Sequence, residues 1–268
     1  MRILFLPLLT LLLCASASAQ LRADIQKDTP VGQATMRVYG GEQLLFQATT
    51  SGLNAVTESK FSPDGKWLLN IADGSGYVQL WDVEKGERVK TFLSQSSRIF
   101  GADFTPDGQR LLLDFSGSKG MADSRRPGYL PSPTLWNLAT LERIAFVYND
   151  KRESFYDGKV TFSTNGERMA FIRQSSHSYG PVSVWNAKTG AHIATISRLP
   201  YPQGAAQTGG AGSVDARLSP DGRRVLVQYV DSRLAEYDAG TGTRLKLRGE
   251  FSAADAGAAL EQFAREGR

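Results

Sequence analysis

The most constraining feature of this chain is a motif that it repeats. Residues Phe61 to Leu93, FSPDGKWLLNIADGSGYVQLWDVEKGERVKTFL, open on an apolar residue and a Pro63-Asp64-Gly65 turn. They close on Trp81-Asp82, a short polar turn and a last apolar run. Three later segments keep this order. The second has Phe104, Pro106-Asp107-Gly108, Leu111 to Leu113 and Leu135-Trp136-Asn137. The third has Phe162, Asn165-Gly166, Met169 to Ile172 and Val184-Trp185-Asn186, and the fourth Leu218, Pro220-Asp221-Gly222, Val225 to Val227 and Tyr237-Asp238. Short apolar runs broken by Asp-Gly and Asn-Gly read as strands joined by tight turns. Each copy holds four such runs, which predicts one four-stranded antiparallel sheet per copy. Such a sheet cannot bury both faces alone, so the copies must stack on one another.

Spacing sets the register. Phe61 to Trp81 is 20 residues and Trp81 to Phe104 is 23, a period of 43. WD-type propeller blades repeat every 40–45 residues or about that. The four segments, spanning Ala55 to Leu247, resemble those of WD40-repeat β-propeller proteins of the bacterial cell envelope. The resemblance implies an all-β propeller of four-stranded antiparallel blades. Two departures stand out. No copy carries the family's Gly-His dipeptide, so the buried hydrogen-bond network that goes with it is expected to be absent, and the first copy alone has a true Trp-Asp.

Outside the four copies the pattern changes. Residues 1–19 read as a signal peptide, with Met1-Arg2, an apolar Ile3 to Leu13 and Ala17-Ser18-Ala19 as the cleavage pattern. A lipoprotein leader using Cys14 competes with that reading, but Leu13 stands where such leaders carry a small residue. Residues 20–32 are polar and mixed, an expected N-terminal arm. Residues 33–250 are assigned to the propeller. Met36 to Thr49 form a hairpin around Gly40-Gly41, with Tyr39 where later copies have Trp, an N-terminal half blade. Residues 251–268 switch to helical spacing, with Ser252 as cap and Ala256, Leu260, Phe263 and Ala264 on one face. Four blades and a half leave a small ring, an open arc or half of a two-chain ring as alternatives; an open arc would expose a sheet edge to pairing.

Composition narrows the chemistry. Cys14 is the one cysteine, so a processed chain has no disulfide, thiol nucleophile or cysteine metal site. The net charge of +4 comes from interleaved signs, which argues against a nucleic-acid surface. His177 and His192 are the two histidines, too few for a histidine-rich metal site. No G-x-S-x-G elbow or phosphate-cradling loop occurs, and Gly209-Gly210-Ala211-Gly212 reads as a flexible insertion. Trp81, Trp136, Trp185 and Tyr237 are assigned to packing between blades. Asp64, Asp107, Asn165 and Asp221 are assigned to local turn bonding rather than to calcium.

Two intervals are longer than the repeat requires: Gly117 to Pro133, between the second and third strands of copy two, and Arg198 to Gly212, between copies three and four. Successive turns of an up-and-down sheet alternate between its ends, so both insertions should project from one face, where repeat proteins carry binding loops. Lys119, Arg125, Arg126 and Tyr129 in the first and Tyr201 in the second are the partner-binding candidates, since Arg and Tyr are enriched at interaction hot spots. The expectation is an exported, periplasmic or secreted, non-enzymatic platform for a protein or peptide of the cell envelope. It should need no cofactor or metal, bind no nucleic acid and have no membrane span. A lactonase-like or quinoprotein-like propeller enzyme, and a structural subunit that completes a larger ring as a homo-oligomer, are the alternatives.

Overall fold

A computed structural model of the chain describes residues 20–28, 33–93, 99, 101–114, 134–145, 158–175, 178–201 and 211–267. The leader, His177 and the first insertion with Lys119, Arg125, Arg126 and Tyr129 lie outside the described residues. The chain divides into two compact units, with the boundary between Asn54 and Ala55.

The first unit is a three-stranded antiparallel sheet of β1 (Leu21–Asp28), β2 (Gln33–Gly40) and β3 (Gln43–Thr50), followed by a single 3-10 turn, Ser51–Leu53. The segment expected to be an arm is therefore largely a strand. β1 pairs with β2 along its whole length, Leu21 opposite Gly40 through Asp28 opposite Gln33. The physical reason is a period of two hidden among charges: Leu21, Ala23 and Ile25 alternate with exposed Arg22, Asp24 and Gln26. The hairpin around Gly40-Gly41 forms as expected, with Gly41 at φ +62. The half blade is thus three strands, one short of a blade.

The second unit holds four four-stranded antiparallel sheets, each in chain order. Blade 1 is β4 (Glu58–Phe61), β5 (Trp67–Ala72), β6 (Tyr77–Asp82) and β7 (Glu87–Leu93). Blade 2 is β8 (Gly101–Phe104), β9 (Arg110–Asp114), β10 (Thr134–Asn137) and β11 (Arg143–Ile144). Blade 3 is β12 (Gly158–Phe162), β13 (Arg168–Ser175), β14 (Ser178–Asn186) and β15 (His192–Ile196). Blade 4 is β16 (Ser213–Leu218), β17 (Arg224–Tyr229), β18 (Arg233–Asp238) and β19 (Arg244–Glu250). The helix α1 (Ala253–Glu266) ends the chain. The fold is all-β, with blades of the propeller kind and one short C-terminal helix. Among the described residues no helix is long and apolar enough to cross a membrane.

The third strands carry a shared irregularity. Register slips by one residue between Leu80 and Trp81, between Val184 and Trp185, and between Glu236 and Tyr237, each time where the third strand pairs with the fourth. The same slip falls between Val38 and Tyr39, which aligns β2 with the third strands and makes the missing strand of the first sheet the one that opens each blade. A bulge at a fixed site raises the local twist.

The core lies in the seams. Leu69, Leu80 and Phe92 of blade 1 meet Ala102, Phe104 and Leu111 of blade 2. Leu112 and Leu135 of blade 2 meet Met169, Phe171 and Trp185 of blade 3. Ala170, Ile172, Val182 and Val184 of blade 3 meet Val225, Val227, Tyr229 and Tyr237 of blade 4. The opposite face of blade 4 meets α1 through Leu226 and Leu234 against Ala256, Leu260 and Phe263. The tail therefore does lie on a blade.

Candidate functional site

Each blade of the second unit has two ends, bonded differently. At one, first and second strands are joined by a Ser/Thr-x-Asx-Gly turn. Ser62 Oγ donates to Asp64 Oδ1 at 2.6 Å and accepts from the Trp67 N–H at 3.0 Å, while Asp64 Oδ1 accepts from the Lys66 N–H. Thr105–Asp107, Ser163–Asn165 and Ser219–Asp221 repeat this, with hydroxyl-to-Asx distances of 2.6, 2.7 and 2.7 Å. Short polar side chains that bond their own backbone two residues on are what an Asx turn requires.

The carboxylates are thereby committed. Burial opposes ionisation of Asp64 and Asp107, but hydrogen bonds from Ser62 and Thr105, from the Lys66 and Gln109 N–H groups, and the Lys66 and Arg110 cations outweigh it and hold both below the ordinary carboxylate range. The Ser219 hydroxyl and the Arg223 N–H hold Asp221 low in the same way. These acids stand in different blades rather than converging. Among the described residues no group of three His, Cys, Asp or Glu side chains could hold a metal ion. His192 packs edge-on to Trp185 at 4.9 Å and bonds Thr195 Oγ1 at 3.0 Å.

Three of the four repeated aromatics, Trp136, Trp185 and Tyr237, are in the seams. Trp185 and Tyr237 are almost wholly buried against the preceding blade, and Tyr237 shares a 2.6 Å hydrogen bond with buried Tyr229. Trp136 is half-buried in the seam with blade 1, edge-on to Phe92 at 4.9 Å, with Lys90 Nζ 4.3 Å over its ring. Trp81 is buried on the face of blade 1 turned away from blade 2, its Nε1 donating to Gln79 Oε1 at 3.3 Å.

At the other end, in blades 1 and 4, a second-to-third turn meets a link between blades. In blade 1, Asp73 Oδ1 accepts from the Ile99 N–H at 3.3 Å. In blade 4 the junction is more extensive. Leu199 and Ala211 exchange two backbone hydrogen bonds, at 3.0 and 2.7 Å, and both side chains are buried. They close the base of the second insertion. Arg233, itself buried, donates from Nε to Asp231 Oδ2 at 2.8 Å and from Nη2 to Pro200 O at 2.9 Å. The Val230 N–H donates to Gly212 O at 3.0 Å. Tyr201 stands at the mouth, half-buried and packed on the core of blades 3 and 4, with Val230 40% exposed on the adjoining turn.

Of the predicted partner-binding residues the structure thus describes Tyr201 alone, and it packs that side chain against the buried core of blades 3 and 4. Ala211 and Gly212, read from sequence as part of a flexible glycine run, are the closing half of the clamp. Sequence reasoning missed Arg233 and Asp231, because a clamp of one residue pair leaves no periodic signal. The usable signal was Leu199 and Ala211 as apolar residues bracketing a polar insertion.

No protein-family model matches the chain. It is 81% identical over 262 residues to an uncharacterized WD repeat-containing protein of Deinococcus radiodurans, covering 98% of each chain. It is 56% identical over 267 residues to a second protein of that description from the same organism, again covering 98% of each. A WD repeat-containing protein of Synechocystis sp. is 26% identical over 91 residues, which is 34% of this chain and 25% of the other.

Proposed function

Because the chain belongs to the WD repeat-containing proteins, we propose that it is a non-enzymatic platform that holds a protein or peptide partner at the link end of its blades. The observation that carries this reading is the clamp at the base of the second insertion. A loop whose two stems are hydrogen-bonded to each other, and tied to blade 4 by Arg233, has lost part of its conformational freedom before any partner arrives. Less entropy is then given up on binding. Tyr201 and Val230 supply apolar contact area beside a satisfied ion pair, a mixed surface suited to a polypeptide rather than to a small charged substrate. On this reading the protein is exported and works in the periplasm or outside the cell. Lys119, Arg125, Arg126 and Tyr129, from the other insertion, add cationic and aromatic contacts.

The test uses a photo-cross-linking residue at position 201 or at position 223, in a turn at the opposite end. Cross-links to a defined envelope protein from position 201 alone are expected, and they should vanish when residues 202–210 are replaced by a Gly-Ser linker. Equal labelling from both positions, or labelling that survives the replacement, would remove the link end from this account.

A further inference from the structure

The four Ser/Thr-x-Asx-Gly turns touch one another in file. A Cβ placed on Gly108 would lie 3.2 Å from Asp64 Cγ in the preceding turn. One on Gly166 would lie 2.4 Å from Asp107 Cγ, and one on Gly222 would lie 3.2 Å from Ser163 Cβ. All three glycines have φ between +67 and +72. The file does not stop at blade 4. Gly267, the C-cap of α1, has φ +70, and a Cβ there would lie 3.2 Å from Arg224 Nη2 and 3.6 Å from Ser219 Cβ. A helix end thus fills the place that a fifth turn glycine would take.

The bonding is copied too. Arg110, five residues after Thr105, donates from Nη1 to Gly166 O of the next blade at 3.2 Å. Arg224, five residues after Ser219, donates from Nη2 to Gly267 O. One position differs. The residue before each seam aromatic is Leu80, Leu135 or Val184 in the three blades that meet a following blade, and each is buried in that seam. In blade 4 it is Glu236, buried and held by Arg224 Nη1 at 2.6 Å and Arg248 Nη2 at 2.7 Å. Both guanidinium groups lie over the Phe263 ring, at 5.6 and 5.8 Å. A charge on an otherwise apolar sheet face disfavours apposition of another sheet.

We infer that α1 is a blade surrogate that terminates the array, occupying the next blade's seat and keeping a second copy of this chain from stacking there. The end repeats of stacked-repeat proteins need such caps to stay soluble. Here the cap is a helix whose glycine terminus reproduces a turn, and Glu236 makes the seat specific for it.

The full-length chain tests this. Phe263→Asp should release α1, read as rapid trypsin cleavage after Arg265. Adding Glu236→Leu restores the residue type of the other seams, and the double variant should show a light-scattering mass that climbs with concentration above the parent's. A double variant with released helix and the parent's mass at every concentration overturns the inference. Gly267→Ala is the milder probe should that variant fail to fold. Hydrogen exchange should quicken in α1 and stay unchanged in β16 to β19; acceleration of those strands together with the helix would make α1 part of blade 4 rather than a cap.

Discussion

At the residue scale, two glycines separate backbone strain from steric overlap. Gly166 and Gly74 both have positive φ, but a Cβ at Gly166 would strike the Asp107 carboxylate while one at Gly74 has no heavy atom within 4 Å. The left-handed conformation costs an L-residue about 1–2 kcal/mol, and overpacking adds about 1–3 kcal/mol. Urea unfolding should therefore show Gly166→Ala losing more stability than Gly74→Ala; equal losses would contradict the contact between turns. Trp185→Ala should cost about 3–5 kcal/mol, as a buried aromatic leaves a cavity. Half-buried Trp136 should cost less in the same assay.

The same scale sets the response to acid. Asp64, Asp107, Asp221 and Glu236 are all held below their ordinary pKa; for Glu236, burial opposes ionisation and the Arg248 and Arg224 hydrogen bonds outweigh it. A depressed carboxylate contributes stability that is complete above its unfolded value, about 3.9 for Asp and about 4.3 for Glu. That contribution is lost as pH falls through the folded value, because the unfolded chain then binds more protons. Melting temperature should thus drop below pH 4 or about there, and Glu236→Gln should flatten the drop. A melting temperature independent of pH across that window would show that these bonds contribute nothing net.

At the element scale, the blade is held at its two ends by different means. The turn end is local: Ser219→Ala removes a hydroxyl that both donates to Asp221 and accepts from the Arg224 N–H. That change should cost about 1 kcal/mol, checked by thermal melts. The link end is non-local, since Arg233 reaches Pro200 across 33 residues. This is why Asp64, Asp107 and Asp221 could be assigned from spacing, whereas the tie of Arg233 to Pro200 could not. The β1 strand failed to read as a strand for a related reason: its alternation uses Leu21, Ala23 and Ile25 among charges, a weak period-two signal.

At the scale of the second unit, apolar faces are buried in the seams between successive blades and, at blade 4, under α1. Stability in such a stack is close to a sum of blade and seam contributions. Phe92→Ala, in the seam of blades 1 and 2, should speed amide exchange there and leave β16 to β19 protected. Uniform acceleration would mean the unit opens as one cooperative body. The Leu226 and Leu234 face, closed by α1, is the element that decides where the stack ends.

Period, turn chemistry and residue type by themselves determined the blade, its four strands, its seam aromatics and its capped terminal helix, because each depends on residues close together in the chain, within one 43-residue repeat or within the last 18 residues. Only the tertiary structure decided that Gly267 stands in for a fifth turn, that Glu236 is clasped by Arg224 and Arg248, and that Arg233 ties down the second insertion. Those outcomes depend on contacts between segments whose separation in the chain carries no periodic signal, so they form when the blades stack and not before.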